Sequence, residues 1–231
     1  MKKILGCAFV VIAAMALGGC ETTRAKTAPS ASFSFTATEK RVAVIEPDVH
    51  LGELTASGMV EPRADWTDSA RKHIARNIDT ILDQRGIDTI HIDSLTNPQQ
   101  IQLSRLHSVV GMAIVRHFYM EGAKLPNKGS ALDWTLGKGT MSLREEYGAD
   151  YGLFLFVQDS YSSSGRVALM IGAALLGVGV QGGQQTAFAS LVDLRTGNIV
   201  WFNILNNATG DLRTAEPAKI AVSNLIKEMP L

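Results

Sequence analysis

Thr186 to Leu194 (TAFASLVDL) and Ile199 to Ile204 (IVWFNI) flank four residues, Arg195-Thr196-Gly197-Asn198. Two apolar-rich runs joined by a short turn containing Thr-Gly-Asn read as a β-hairpin. Upstream, Tyr151 to Val157 (YGLFLFV) is an almost unbroken apolar run, the pattern of a strand covered on both faces. A hairpin beside a doubly covered strand needs helices above and below the sheet. The rest of the chain supplies them.

Arg41 to Pro47 (RVAVIEP) reads as a first strand stopped by proline, and Asp88 to Asp93 (DTIHID) as a shorter second one. Between them a helix over Thr67–Gln84 sets Ile74, Ile78, Ile81 and Leu82 on one face, with Gly86 beyond its end. Asn97-Pro98 caps and opens another helix, expected to turn Ile101, Val109, Ala113 and Ile114 to the core. The stretch from Gly122 to Thr140 reads as irregular with a helical turn near Leu132-Asp133-Trp134, followed by a short helix over Met141–Tyr147. Ala215 to Met229 closes the chain as an amphipathic helix, and no internal repeat is visible. The expected fold class is α/β, a single-domain sandwich with a mixed sheet packed by helices, preceded by a cleaved signal peptide and a flexible tether.

This order resembles the domain of the curli-secretion channel lipoproteins and related envelope lipoproteins, including activators of cell-wall synthases. The residues that carry it are Arg41 to Pro47, Gly148-Ala149-Asp150 leading into the YGLFLFV strand, and Leu191 to Trp201 (LVDLRTGNIVW). The resemblance implies a periplasmic domain and brings no catalytic residue with it.

The N-terminus supports the same compartment. Met1-Lys2-Lys3 precedes Ile4 to Leu17, a 14-residue run without charge. A membrane-spanning helix needs about 20 residues, so this run fits a secretory signal. Leu17-Gly18-Gly19-Cys20 resembles the lipobox of bacterial lipoproteins. That resemblance implies cleavage between Gly19 and Cys20 and lipidation of Cys20, which would tie the protein to a membrane. Glu21, rather than Asp, follows the cysteine, which implies outer-membrane sorting with the domain facing the periplasm. Cys7 leaves with the signal, so no free thiol remains. The domain plan is residues 1–19 signal peptide, 20–39 lipidated N-terminus and flexible tether rich in Thr, Ser and Ala, and 40–231 the α/β domain, with an apolar Gly-rich insertion at 165–185.

Composition and motifs remove several classes of function. Lys+Arg and Asp+Glu both number 22 among 231 residues, which leaves no positive field for nucleic acid. With 46% hydrophobic and 19% charged residues, the chain can bury a core. His50, His73, His91, His107 and His117 form neither HExxH nor a close pair, so no metal is expected. His91 and Asp93 could offer two ligands on one face of a strand, but solvated side chains on a half-exposed strand are the plainer reading. GxSxG is absent and no Ser-x-x-Lys is picked out, so neither common serine hydrolase signature is expected, and Ser162-Ser163-Ser164-Gly165 reads as a polar loop. Gly137-Lys138-Gly139-Thr140 fails the phosphate-loop pattern, because Leu132 stands where glycine is required and Gly139 where Ser or Thr is. Gly177 to Gly182 (GVGVQG) satisfies G-x-G-x-x-G but is followed by a strand pattern, not a helix. Glu145 and Glu146 point about 100° apart on a helix and form no acid/base pair. No cofactor and no small-molecule substrate is expected.

Val167 to Val180 (VALMIGAALLGVGV) is 14 residues without charge, placed where a tight connection would suffice. Small residues recur at i,i+4, which permits close helix packing. Three readings compete: burial in the domain's own core, a surface for self-association or another envelope protein, and insertion into the membrane. In the curli-secretion proteins comparable insertions become transmembrane β-hairpins, but this segment lacks the alternation that a pore wall requires. The expected function is non-enzymatic: a lipid-anchored outer-membrane lipoprotein that binds a partner protein in envelope assembly or maintenance, through Met170, Ile171, Leu175 and Leu176. An oligomeric secretion-pore subunit and an envelope hydrolase assembled only by folding are the alternatives.

Overall fold

The computed structural model describes residues 22–29, 41–206 and 211–231. In chain order these form β1 (Thr22–Thr23), β2 (Lys26–Thr27), β3 (Val42–Ile45), β4 (Asp48–Leu54), β5 (Val60–Pro62), α1 (Ala64–Gln84), β6 (Thr89–Ile92) and α2 (Pro98–Ile114). A π-helical turn (Val115–Tyr119) and a 3-10 turn (Lys138–Thr140) lead to α3 (Met141–Tyr147), β7 (Tyr151–Ser162), α4 (Ser164–Leu175), β8 (Gln185–Asp193), β9 (Ile199–Asn206) and α5 (Ala215–Ile226). All nine strands join one mixed sheet, with the path β1-β9-β8-β7-β3-β6. The protein is a single-domain α/β sandwich, as its sequence pattern requires.

β7 is the spine. Its apolar run continues through Gln158 to Ser162, so the strand is 12 residues long. On one side it pairs antiparallel with β8 along nine residues. On the other it pairs parallel with two strands in succession: Val44 lies opposite Leu153, and Asp48 opposite Phe156. Four residues therefore advance against three, and Pro47 sits in that irregularity. Proline donates no ladder hydrogen bond and belongs at such a break. The strand resumes as β4, which the sequence reading ended at Pro47, and β5 folds back on it.

Side-chain alternation along β7 divides the core. Leu153, Leu155 and Val157 face α1 and α5, where Ile74, Ile78, Leu82, Val222 and Leu225 are buried. Phe154 and Phe156 face α2, α3 and the 122–137 connection, where Leu103, Ile114, Leu132 and Leu143 are buried. Phe156 and Phe202 stack on Phe188 at 4.9 and 5.4 Å.

Three expectations need correction. Asn97 caps α2 as read, accepting the Gln99 N–H at 2.9 Å, but the buried stripe is Gln100, Leu103, His107, Gly111 and Ile114. Val109 is 68% exposed, and Ile101 and Ala113 are only half-buried. Apolar residues lie all round this helix, so counting them misplaced its phase. No helical turn forms at Leu132-Asp133-Trp134; instead Thr135 bridges to Asn198 of the β8–β9 turn. Residues 22–29 of the segment read as a tether lie along β9, with the Ala28 N–H bonded to the Val200 carbonyl at 2.9 Å. The signal peptide, Gly19, Cys20 and residues 30–39 lie outside the described residues.

The register fixes one end of the sheet. Leu54 lies opposite Ser162, Gln158 opposite Thr186, Thr186 opposite Asn206, and Asn206 opposite Thr22. The close of β4, β7 and β9 and the start of β1 and β8 thus gather together, and α4 begins there.

Candidate interaction surface

α4 leaves that end through a capped turn. The Ser163 side chain accepts the Arg166 N–H at 3.1 Å, satisfying one of the unpaired donors of the first turn. The far end closes on Gly177 with φ +76°: the Gly177 N–H reaches Ala174 O at 3.0 Å and the Val178 N–H reaches Ala173 O at 2.9 Å. This is the Schellman arrangement, and it consumes carbonyls that would otherwise need water.

The base of the excursion is pinned. The Ser160 N–H donates to Gln184 O at 3.0 Å, and the Gly183 N–H donates to Ser162 Oγ at 3.1 Å. A Cβ on Gly183 would overlap the Ser160 carbonyl oxygen, so only glycine permits this approach. Arg166 donates through Nε and Nη2 to Gln181 O at 3.0 and 2.7 Å, and its Nη1 lies 3.4 Å from Ala56 O in the β4–β5 turn.

Beyond this base nothing among the described residues covers the helix. None of its residues is buried. Ile171 is 61% exposed, Leu175 84% and Leu176 82%. Burial in the domain's own core, one of the three readings of Val167–Val180, is therefore overturned. Covering a Leu or Ile side chain contributes about 1.5–3 kcal/mol, so these three residues leave a substantial gain unused. Met170 differs from its neighbours: it is half-buried, with Sδ 4.0 Å from Ser162 Oγ, and helps seat the helix. The segment is a helix and contributes no β-hairpin. Among the described residues, no helix is long and apolar enough to cross a membrane.

One buried polar pair lies in the core. His107 and Ser190 approach at 2.7 Å, a pairing that in a cleft would suggest a nucleophile and its base. Both are sealed, at 1% and 0% exposure, and the imidazole lies between Phe154 and Phe188. Burial holds its pKa down at about 3, so it is a neutral core group. The sequence reading passed over Ser69-Ala70-Arg71-Lys72, which spells Ser-x-x-Lys. On α1 the Ser69 hydroxyl donates to Asp65 O at 3.0 Å, while Lys72 lines the crevice between α1 and the ends of β3 and β6, which Ser69 does not line.

Two depressions flank the sheet. A crevice of about 210 Å³ beside the ends of β3 and β6 is lined by Glu46, Arg71, Asp79 and His91, with His91 Nδ1 3.1 Å from Asp79. His91 and Asp93 are exposed around a buried Ile92, as the alternation implied. A groove of about 690 Å³ lies past the end of α2, lined by His50, Gly52, Phe156, Gln158, Ser160 and Thr186. It was not foreseen, because β4 was not. Among the described residues, no group of three or more His, Cys, Asp or Glu could hold a metal ion.

No protein-family model matches the chain. No curated protein matches it either. Among solved structures it is similar to the PelC dodecamer from Paraburkholderia phytofirmans, at 17% identity and a TM-score of 0.39, over 89% of this chain and 92% of that one. It is similar to lipoprotein GNA1162 from Neisseria meningitidis at 14% identity and a TM-score of 0.34, over 81% and 96%. Likeness to the LpoB C-terminal domain from Salmonella enterica is lower, at 12% identity and a TM-score of 0.27, over 72% and 82%.

Proposed function

We propose that this chain is an outer-membrane lipoprotein, cleaved after Gly19 and lipidated on Cys20, whose periplasmic domain is non-catalytic. The domain binds another envelope component in assembly or maintenance of an envelope structure. Ile171, Leu175 and Leu176 of α4 and its cap form the contact, with Met170 seating the helix beneath them. The observation that carries this reading is α4 itself: an apolar helix, firmly based and left bare. Exposed apolar patches of this kind mark interaction sites. The lipobox-like Leu17 to Cys20 supports the membrane anchor. Anchoring would raise the domain's local concentration at any component held on the same membrane.

Chemical cross-linking in native membranes tests this, comparing the full-length wild type with Leu175→Glu/Leu176→Glu. Both side chains are exposed, so the double variant should unfold at the wild-type temperature while losing the cross-linked neighbours. Unchanged cross-linking by a folded double variant would remove α4 from the contact.

A further inference from the structure

The sheet register relates the bare helix to the anchor. Thr22 of β1 is level with Asn206, Thr186 and Gln158, near the close of β7. β9 runs parallel to β7 through two antiparallel steps, and β1 runs against both. β1 therefore begins at the end of the sheet where α4 emerges. Cys20 is two residues upstream of Thr22, about 7 Å of chain at most. A lipid on Cys20, as proposed above, would thus be tied by that short length of chain to the end of the sheet from which α4 emerges.

Three further features suit that end to lipid. First, residues 167–180 carry no charge, and apolar side chains lie all round α4. A helix lying flat in the interface keeps a polar face; one that is apolar all round needs apolar surroundings on every side. Second, α4 has 12 residues and so is ~18 Å long, close to the ~15 Å of one leaflet's hydrocarbon. Its exposed tip is closed by the Gly177 cap, so the Ala173 and Ala174 carbonyls are already bonded. Third, Met59 in the β4–β5 turn and Val60 at the start of β5 are 67% and 50% exposed at the same end. Arg166 joins that turn to the helix base, the level at which a cation meets lipid phosphate.

We propose that α4 and its cap dip into the leaflet that holds Cys20, with Met59 and Val60 against its headgroup layer. This rests on the reading above that Cys20 is lipidated and α4 is a contact surface, and it names the bilayer as the occupant. The domain is then held to the membrane at two points, which fixes its orientation.

The test uses the full-length, processed chain carrying Leu176→Cys. With Cys7 removed and Cys20 acylated, the new cysteine is the only thiol to take an environment-sensitive fluorophore. The protein is reconstituted in vesicles of phosphatidylethanolamine and phosphatidylglycerol, with and without spin-labelled lipid. Emission from position 176 should shift to the blue and lose most of its intensity to the spin label. A fluorophore at Asp83→Cys, at the opposite end of α1, should do neither. Water-like, unquenched emission at 176 on membrane-bound protein would overturn the proposal. Blue-shifted but unquenched emission would also overturn it, showing that another copy covers the helix and leaving the contact-surface reading intact. Failure to bind vesicles, with an unmodified Cys20 in the mass of the N-terminal peptide, would overturn both.

Discussion

The Tyr161 hydroxyl donates to Asp159 Oδ2 at 2.6 Å, and Gln185 Nε2 donates to the same oxygen at 2.8 Å. Asp159 is 3% exposed on the α1 face of the sheet, just below the point where β7 gives way to α4. Burial pushes its carboxyl up to about 6, outweighing the two donors that favour the anion. Tyr161 also accepts the Leu212 N–H at 2.9 Å and stacks under Arg213 at 4.0 Å. The pair thus ties the α4 end of the sheet to the lead-in of α5.

A raised carboxyl pKa costs stability at neutral pH. Between its ordinary value of 3.8 and about 6, the folded chain holds a proton that the unfolded chain has released, so Asp159 lowers stability as pH rises through that window. At about 1.4 kcal/mol per pH unit, the loss is on the order of 2–3 kcal/mol. Asp159→Asn can keep both hydrogen bonds through its one carbonyl oxygen. It should be more stable than wild type at pH 7.5 in urea unfolding, with the advantage gone at pH 3.5. A variant less stable than wild type at pH 7.5 would show that the charge is better compensated than its burial implies.

His107 acts in the opposite sense. Its pKa is depressed from 6.5 to about 3, so the unfolded chain takes up a proton first as pH falls, and stability drops below pH 6.5. Between pH 4 and 6 the two groups offset one another in the wild type. Asp159→Asn should therefore expose a steady rise in stability across that interval. Ser190→Ala leaves the His107 ring nitrogen without its 2.7 Å partner and should cost about 1–3 kcal/mol at neutral pH.

Gly111 sits in the buried stripe of α2, where an added Cβ would overlap the Phe188 ring. Helix propensity alone favours alanine over glycine by about 1 kcal/mol. Overpacking a well-filled core costs about 1–3 kcal/mol, and Phe188 cannot yield because Phe156 and Phe202 stack on its two sides. Gly111→Ala should therefore unfold at a lower temperature than wild type. An increase would mean that the aromatic column re-packs freely.

This glycine also explains where the sequence was opaque. The stripe that α2 buries contains Gln100, His107 and Gly111, so its core face is no more apolar than its exposed face with Leu106, Val109 and Met112. Only the facing surface, with Phe188 needing room and Ser190 needing a partner, selects it. By contrast β7, β8 and β9 were legible because their burial on both faces forces continuous apolar runs with a Thr-Gly turn between two of them. β4 was hidden because Pro47 stops a strand in most settings; here it occupies a one-residue irregularity and the strand continues. α4 misled in another way. Its composition is that of a core helix, and the sequence could not show that the domain leaves it uncovered.

The N-terminal segment offers the last test. Lys26 and Thr27 lie opposite Phe202 and Trp201, Ala28 is buried, and Ala25 packs against the α1-side core. Two-residue strands are marginal by themselves, so their order depends on these alanines and on the open edge of β9. Hydrogen exchange on the full-length protein should show the Ala28 amide, bonded to Val200 O, exchanging more slowly than in free chain. Ala28→Pro removes that donor and should release protection across Lys26 and Thr27 while the β8–β9 amides stay protected. Exchange at the free-chain rate in the wild type would return this segment to a tether. The sheet register would then no longer tie Cys20 to the end of the domain from which α4 emerges.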